Sequence, residues 1–366
     1  MKMSYLAVAS LLCLSFSSSA AFAQQQGGAY PTGQLQTPNT ADRRLVLDVV
    51  VTDKSGKPVK GLEQKDFTVL DNGHPRTVLS FQTSGGDQGP AAANAQPETP
   101  VQFILLVDEV NTNFGRVAYE RDQIKRFLLQ NGGKLAHPTS MAFFSDSGTE
   151  IQNATSLDGT ALLATFDQHE TGLRSIRRSE GVYGALERFQ LSLNTLNSLL
   201  AREAEVPGRK MVIWISPGWP ILSGPGVELS DKERAGLLAS IVSISTALRQ
   251  KRITLYNVNP QGADDAGGIQ AFYYREFLKP ITAAKQVLLG NLALQVLAIH
   301  SGGLVFTASN DITGQIDRCV ADADVFYTLT LDAATAEKPN EYHAIEVKIA
   351  APGLTARTQS GYYVQP

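Results

Sequence analysis

The residue in this chain best placed to do chemistry is Asp108. It follows Val101-Gln102-Phe103-Ile104-Leu105-Leu106-Val107, an almost continuously apolar run, and leads into Glu109-Val110-Asn111-Thr112. A strand buried on both faces reads this way, and ligands of open α/β sheets bind at the carboxyl ends of such strands. An acid delivered there is a candidate metal ligand or hydrogen-bond acceptor. The alternative is that Asp108 only caps the loop and helix that follow. A second chemistry starts from Ser216, at the end of the apolar run 211–216. Ser216, Asp264 or Asp265, and His300 follow the chain order of an α/β-hydrolase triad. Against it, Trp214 stands where the first Gly of Gly-x-Ser-x-Gly belongs, and Pro217 lacks the N–H an oxyanion hole needs. His300 reads better as a helix C-terminal residue, with Gly302 and Gly303 turning the chain.

The other candidates are weaker. His74, His137, His169 and His343 show no metal-binding spacing and read as surface or turn residues. Gly132-Gly133-Lys134 has neither the spacing nor the following Ser or Thr of a phosphate loop. Arg174-Ser175-Ile176-Arg177-Arg178 could meet an acidic partner at the same end of the sheet as Asp108, although such runs are usually solvated loops. Trp219-Pro220-Ile221-Leu222 is an apolar turn just after a strand end, and an exposed aromatic there would mark a contact surface. Asn111, Trp219 and Ile221 are therefore the candidate partner-binding residues. The alternative for this turn is a loop folded over the sheet edge.

These residues need elements to hold them. Residues 1–23 read as a signal peptide, with Lys2 in the n-region, an apolar stretch over 6–16 and the cleavage site Ala21-Phe22-Ala23. The expected product begins at Gln24 and is exported, to the periplasm or outside the cell. No other run reaches the roughly 18 apolar residues of a membrane span. Cys13 goes with the signal, leaving Cys319 and no internal disulfide. Removing Lys2 from 32 Lys and Arg, against 35 Asp and Glu, leaves about −4. That mild, mixed charge argues against nucleic acid as a partner. With 43% hydrophobic residues the chain can bury one large domain and a smaller one.

Residues 24–42 read as a flexible tether and 43–83 as the first part of a small β module. In that module Leu45, Leu47, Val49 and Val51 alternate, and Asp71-Asn72-Gly73 joins a strand over 67–70 to a return strand over 77–81. Residues 84–100 are a Gly-, Ala- and Pro-rich linker. From 101 to 324 strands and helices alternate: strands at 101–107, 140–145, 211–216, 253–258 and 303–306, helices over 114–130, 179–203, 230–248 and 287–300, and a short helix or turn over 161–166. The 179–203 helix carries a stripe of Val182, Leu186, Phe189, Leu193, Leu196 and Leu200, and Ser230 with Glu233 forms a capping box. Alternation of this kind predicts an α/β fold with a mostly parallel sheet and helices on both faces. Residues 325–366 return to strands, at 325–331, 343–349 and 356–364. The last two form an antiparallel pair expected to complete the sheet begun at Leu45, making the β module discontinuous.

Six stretches together carry a resemblance: LVLDVVVTDKSGKPVKGLEQKDFTVLDNGHPRTVLSF from Leu45, VDEVNTNF with AYERDQIKRFL, KMVIWISPGWP, ITLYNVNPQG, LALQVLAIHSGGLVF and IEVKIAAPGLTARTQSGYYV. In this order, over residues 43–364, they resemble the von Willebrand factor type A-related family of acidobacterial type. The resemblance implies a Rossmann-like A-type domain in an extracytoplasmic setting and hands over no biochemical role. A-type domains often hold Mg²⁺ at a metal-ion-dependent adhesion site of Asp-x-Ser-x-Ser, a Thr from a second loop and an Asp from a third. Here only Asp108 and the hydroxyl of Thr112 match. Val110 offers no oxygen, Pro217 stands where the third-loop acid belongs, and Ser179-Glu180-Gly181 has no Thr. The site is expected to be degenerate, with no cofactor. The leading expectation is an exported, non-enzymatic module that binds an unknown protein partner through its loop ends. The alternatives are a metal-dependent adhesion protein and a serine hydrolase using Ser216.

Overall fold

The computed structural model describes residues 44–84, 99–169, 181–222, 228–263 and 272–364. The signal and tether, most of the linker, Arg174 to Arg178, Ser179 and Glu180, and Asp264 and Asp265 lie outside the described residues.

The chain begins with β1 (Arg44–Thr52), β2 (Phe67–Asp71), β3 (His74–Arg76) and β4 (Ser80–Ser84). Then come β5 (Gln102–Asp108), α1 (Phe114–Leu128), β6 (Lys134–Ser145), β7 (Gly148–Ile151), β8 (Ser156–Asp158), α2 (Gly159–Gln168) and α3 (Gly181–Arg202). After β9 (Lys210–Ile215), α4 (Asp231–Gln250) and β10 (Ile253–Val258) the chain reaches α5 (Leu294–His300) and α6 (Ile312–Asp324). It closes with β11 (Phe326–Asp332), β12 (Glu341–Ile349), β13 (Thr355–Arg357) and β14 (Gly361–Val364).

The central sheet runs β10-β9-β5-β6-β7, with β8 also on β6. Strands β10, β9, β5 and β6 are parallel, and β7 and β8 are antiparallel to β6. The long apolar run in β5 follows from covering both faces. Ile104 and Leu106 face a core shared with α3, α4 and α5, while Phe103, Leu105 and Val107 face one shared with α1, α2 and α6. Helix α4 opens with the capping box: Ser230 Oγ accepts from Glu233 N, and Glu233 Oε2 accepts from Ser230 N at 2.7 Å.

The remaining strands form two sheets, β13-β1-β11-β4 and β14-β12-β2-β3, packed as a sandwich. Leu45, Leu47 and Val49 from one sheet meet Phe67, Val69 and Ile345 from the other. Full burial of each such side chain is worth about 1.5–3 kcal/mol. Residues before β5 and after α6 thus pair directly, β1 with β11 from Arg44↔Asp332 to Val49↔Tyr327 and β2 with β12 from Asp71↔Ile345 to Phe67↔Ile349.

Several elements differ from the sequence reading for local reasons. Asn72 and Gly73 both have positive φ and make the tight turn, but the return strand is only β3. Pro75 cannot donate to the ladder, so β3 stays short and at the edge, and the chain crosses to pair β4 with β11. The helix expected over 287–300 is broken by a 3₁₀ turn at Leu289–Leu292, where Asn291 uses its side chain to accept from Leu288 N and donate to Phe277 O. The strand expected at 303–306 is a single bridge, Asn257↔Val305. The segment 356–364 splits between sheets, β13 pairing with β1 and β14 with β12. Val182 is 50% exposed and leaves the stripe it was assigned to. Helix α6, β7 and β8 were not anticipated, although Ile312, Ile316, Cys319 and Ala323 repeat at helical spacing and are buried. Among the described residues, no helix is long and apolar enough to cross a membrane.

Candidate functional site

Asp108 ends β5 at the carboxyl edge of the parallel sheet and is fully buried. Its Oδ1 accepts from the backbone N–H groups of Val110 (3.0 Å) and Asn111 (2.8 Å). Its Oδ2 accepts from Asn111 Nδ2 (2.9 Å), Trp214 Nε1 (3.3 Å) and Ser216 Oγ (2.7 Å). Burial pushes this carboxyl up, and the bonds from Asn111, Ser216 and Trp214 pull it back. Asn111 Nδ2 also donates to Ser192 Oγ at 3.0 Å, tying the loop to α3. The Asp108 carboxylate therefore knots together β5, β9 and, through Asn111, α3.

Ser216 is consumed in the same knot. Its hydroxyl donates to Asp108 and accepts from Gly218 N at 3.0 Å, and it is fully buried. His300, the distant member of the hydrolase reading, places its Nδ1 on Ser360 Oγ instead. Trp219 corrects the expectation of an exposed contact aromatic. It is 3% exposed and packs edge-on against Trp214, centroids 5.1 Å apart. Ile221 is half-buried against Tyr274, Phe277, Ala293 and Val296. The Trp219 turn is folded over the sheet edge.

Thr112 is buried, and the nearness of its hydroxyl lowers the carboxyl of Glu120 of α1 slightly. Glu120 is itself buried, and burial together with the charges of Asp108 and Glu109 pushes its carboxyl well up. Mg²⁺ needs near-octahedral oxygen ligation. The residues here do not fit it: the Asp108 oxygens are occupied by five donors, and Val110 and Pro217 supply no side-chain oxygen. Among the described residues, no group of three or more His, Cys, Asp or Glu side chains is arranged to hold a metal.

Beside this knot the edge is open. A groove of about 470 Å³ lies between the ends of β5 and β6, β7 and the end of α2, lined by Glu109, Ser145, Ser147, Glu150 and His169 among others. His169 Nε2 sits 3.0 Å from Glu109 Oε1, its Nδ1 3.8 Å from Glu150 Oε2, and its ring stacks on Phe143. The histidines read as surface or turn residues are mostly paired with acids: His169 with Glu109, His343 with Asp71 at 2.7 Å, and His137 with Asp324 at 2.9 Å. His74 alone of these four is exposed. The exposed aromatics are ones the sequence reading passed over. Phe114, the first residue of α1 after the Asp108 loop, is 70% exposed, and Tyr183 in the first turn of α3 is 85% exposed. Ser192 touches the Asp108 loop nine residues later in α3, so Tyr183 stands about 13 Å along the helix from that contact.

No family model matches this chain, and no curated protein matches it in sequence. Among solved structures it is similar to the human COPII-coat protein Sec24c, at 11% identity over 75% of this chain and 44% of that one, with a TM-score of 0.37. It is similar also to the SpRpn10 VWA domain, at 11% identity over 59% of this chain and 95% of that one, with a TM-score of 0.27. A third likeness is to the pilus adhesin SpaC from Lactobacillus rhamnosus GG, at 10% identity over 83% of this chain and 49% of that one, with a TM-score of 0.34. The chain spans about half the length of the first and third.

Proposed function

We propose that this chain is an exported, non-enzymatic interaction module. A von Willebrand A-type-like domain presents the loop ends at the carboxyl edge of its sheet to a protein partner, without a divalent cation. The observation that carries this reading is the Asp108 carboxylate: each of its oxygens already accepts from the chain's own donors, five in all. A carboxylate so held is neither an open metal ligand nor a free base. Ser216, with its hydroxyl on that carboxylate and its side chain buried, is not an exposed nucleophile. Binding then falls to groups that face outward at the same edge, chiefly Phe114 and Tyr183, because large exposed aromatics are what partner surfaces use as anchors.

The test is thermal unfolding of the mature protein in EDTA and in millimolar Mg²⁺, Mn²⁺ or Ca²⁺, repeated on Asp108→Ala. A cation held only by the folded state raises the midpoint as its concentration passes the dissociation constant. Equal midpoints in all conditions are expected. A cation-dependent rise that vanishes in Asp108→Ala overturns the reading and restores a metal-dependent adhesion site.

A further inference from the structure

The seam between the parallel-sheet body and the sandwich encloses a second site, built by residues far from the carboxyl edge. After β13 the chain leaves one sheet of the sandwich and crosses to the other at β14, through Thr358-Gln359-Ser360. Two glycines permit the crossing to lie against the end of α5. A Cβ on Gly302, whose φ is +88°, would stand 2.7 Å from the Thr358 carbonyl carbon, and one on Gly361 would stand 2.3 Å from Tyr342 Oη. The crossing is then fixed by Ser360 N donating to His300 O at 3.1 Å, by Ser360 Oγ on His300 Nδ1, and by Tyr342 Oη donating to Ser360 O at 3.2 Å.

Beneath the crossing lies a cavity of about 50 Å³. Its walls are apolar, with Ile241 and Leu248 from α4, Ile281, and Val296 and Leu297 from α5. Its polar lining has one sign. Among the described residues that line it there is no Asp or Glu, and Arg249 is the one permanently charged side chain. Gln359 Nε2, also in the lining, is a buried donor with no partner among the described residues. Burial pushes His300 down to about 4, so the imidazole is neutral near pH 7 and serves as a hydrogen-bonding wall. A buried amide N–H without a partner is left desolvated at a cost to stability, a deficit that an acceptor placed in the cavity removes. Clefts between lobes, with apolar walls and a few convergent polar groups, are where small ligands bind.

We infer that this seam binds a short-chain monocarboxylate, its alkyl part against Ile281 and Val296 and its carboxylate toward Gln359 and Arg249. The size follows from the volume. A water needs about 10–15 Å³ on this measure, so 50 Å³ holds on the order of four heavy atoms, the scale of acetate and propionate. The site does not depend on the partner surface at the carboxyl edge.

The experiment titrates sodium propionate into the mature protein at pH 7, by calorimetry and by the shift in unfolding midpoint, with sodium chloride and propan-1-ol as controls. A saturable response to propionate alone is expected. Gln359→Met should weaken it about tenfold by removing the donor, and Ser245→Leu should abolish it by filling the cavity, each with native circular dichroism. Absence of a saturable propionate response overturns the inference and leaves the cavity to water. So does an equal response to propan-1-ol or sodium chloride. Propionate binding unchanged in both folded variants overturns it as well, by placing the ligand elsewhere.

Discussion

Asp108 and Asp322 are both buried acids, 0% and 3% exposed, and they are satisfied in opposite ways. Asp108 is held by backbone N–H groups, an amide, an indole and a hydroxyl, with no cation among those five donors. Asp322, on α6, pairs directly with Arg357 at the end of β13 and accepts from Tyr256 Oη at 2.9 Å, while Arg209 Nη1 donates to its carbonyl oxygen at 3.0 Å. Arg357 also reaches Gly302 O. The first arrangement shapes loops at one edge of the sheet. The second joins the sandwich to the body, since Arg357 comes from one and Asp322, Tyr256 and Arg209 from the other. Neutral donors give a local knot, and opposite charges give a latch between lobes.

The largest effect that can break this comparison is expected at the latch. Arg357→Met keeps the packing of the side-chain stem and leaves Asp322 buried without its cation, which costs about 3–5 kcal/mol. Denaturant unfolding measures the loss, and amide exchange should speed up in both α6 and β13. Ser216→Ala removes one of the five donors to Asp108 and leaves Gly218 N without its acceptor, an expected cost of about 1–3 kcal/mol. Faster exchange should stay within the loops around 108–113 and 216–219. If Ser216→Ala loosens the seam as much as Arg357→Met does, the knot is not local and the distinction fails.

The two regions were unequally legible in the sequence. Asp108 could be found because a doubly buried strand writes itself as a continuous apolar run, and the acid that ends it marks the edge. Val110 and Pro217, lacking side-chain oxygen, were equally plain. The latch could not be found, because Asp322 and Arg357 are 35 residues apart on elements whose pairing no local period encodes. The same holds for His169 with Glu109 and His343 with Asp71, separated by 60 and 272 residues. Trp219 was misjudged for a different reason. An aromatic after a strand end reads the same whether it faces water or Trp214, and only the fold of the turn decides. Phe114 and Tyr183 were absorbed into helices whose apolar stripes were sound elsewhere, so their outward direction passed unnoticed.

The smallest effect sharpens the neutral side of the comparison and concerns Glu120. It lies near Asp108, and burial together with the charges of Asp108 and Glu109 raises its carboxyl well above its ordinary value of 4.5. A carboxyl raised by folding contributes stability that is complete below the unfolded value and is lost as pH rises toward the folded one. Above pH 4.5 the unfolded chain gives up this proton while the folded chain keeps it, so the wild-type protein weakens as pH increases. Glu120→Gln keeps a similar shape and has no proton to lose, so its stability should lack this slope. Urea midpoints measured from pH 4 to pH 8 should bring the two proteins close together at pH 4 and draw them apart above pH 4.5, with the variant the more stable. Parallel curves over that range would mean that neither burial nor the charges of Asp108 and Glu109 raise the Glu120 carboxyl. The absence of a cation around Asp108 would then have no electrostatic consequence for its neighbours, and the contrast with Asp322 would reduce to one of position alone.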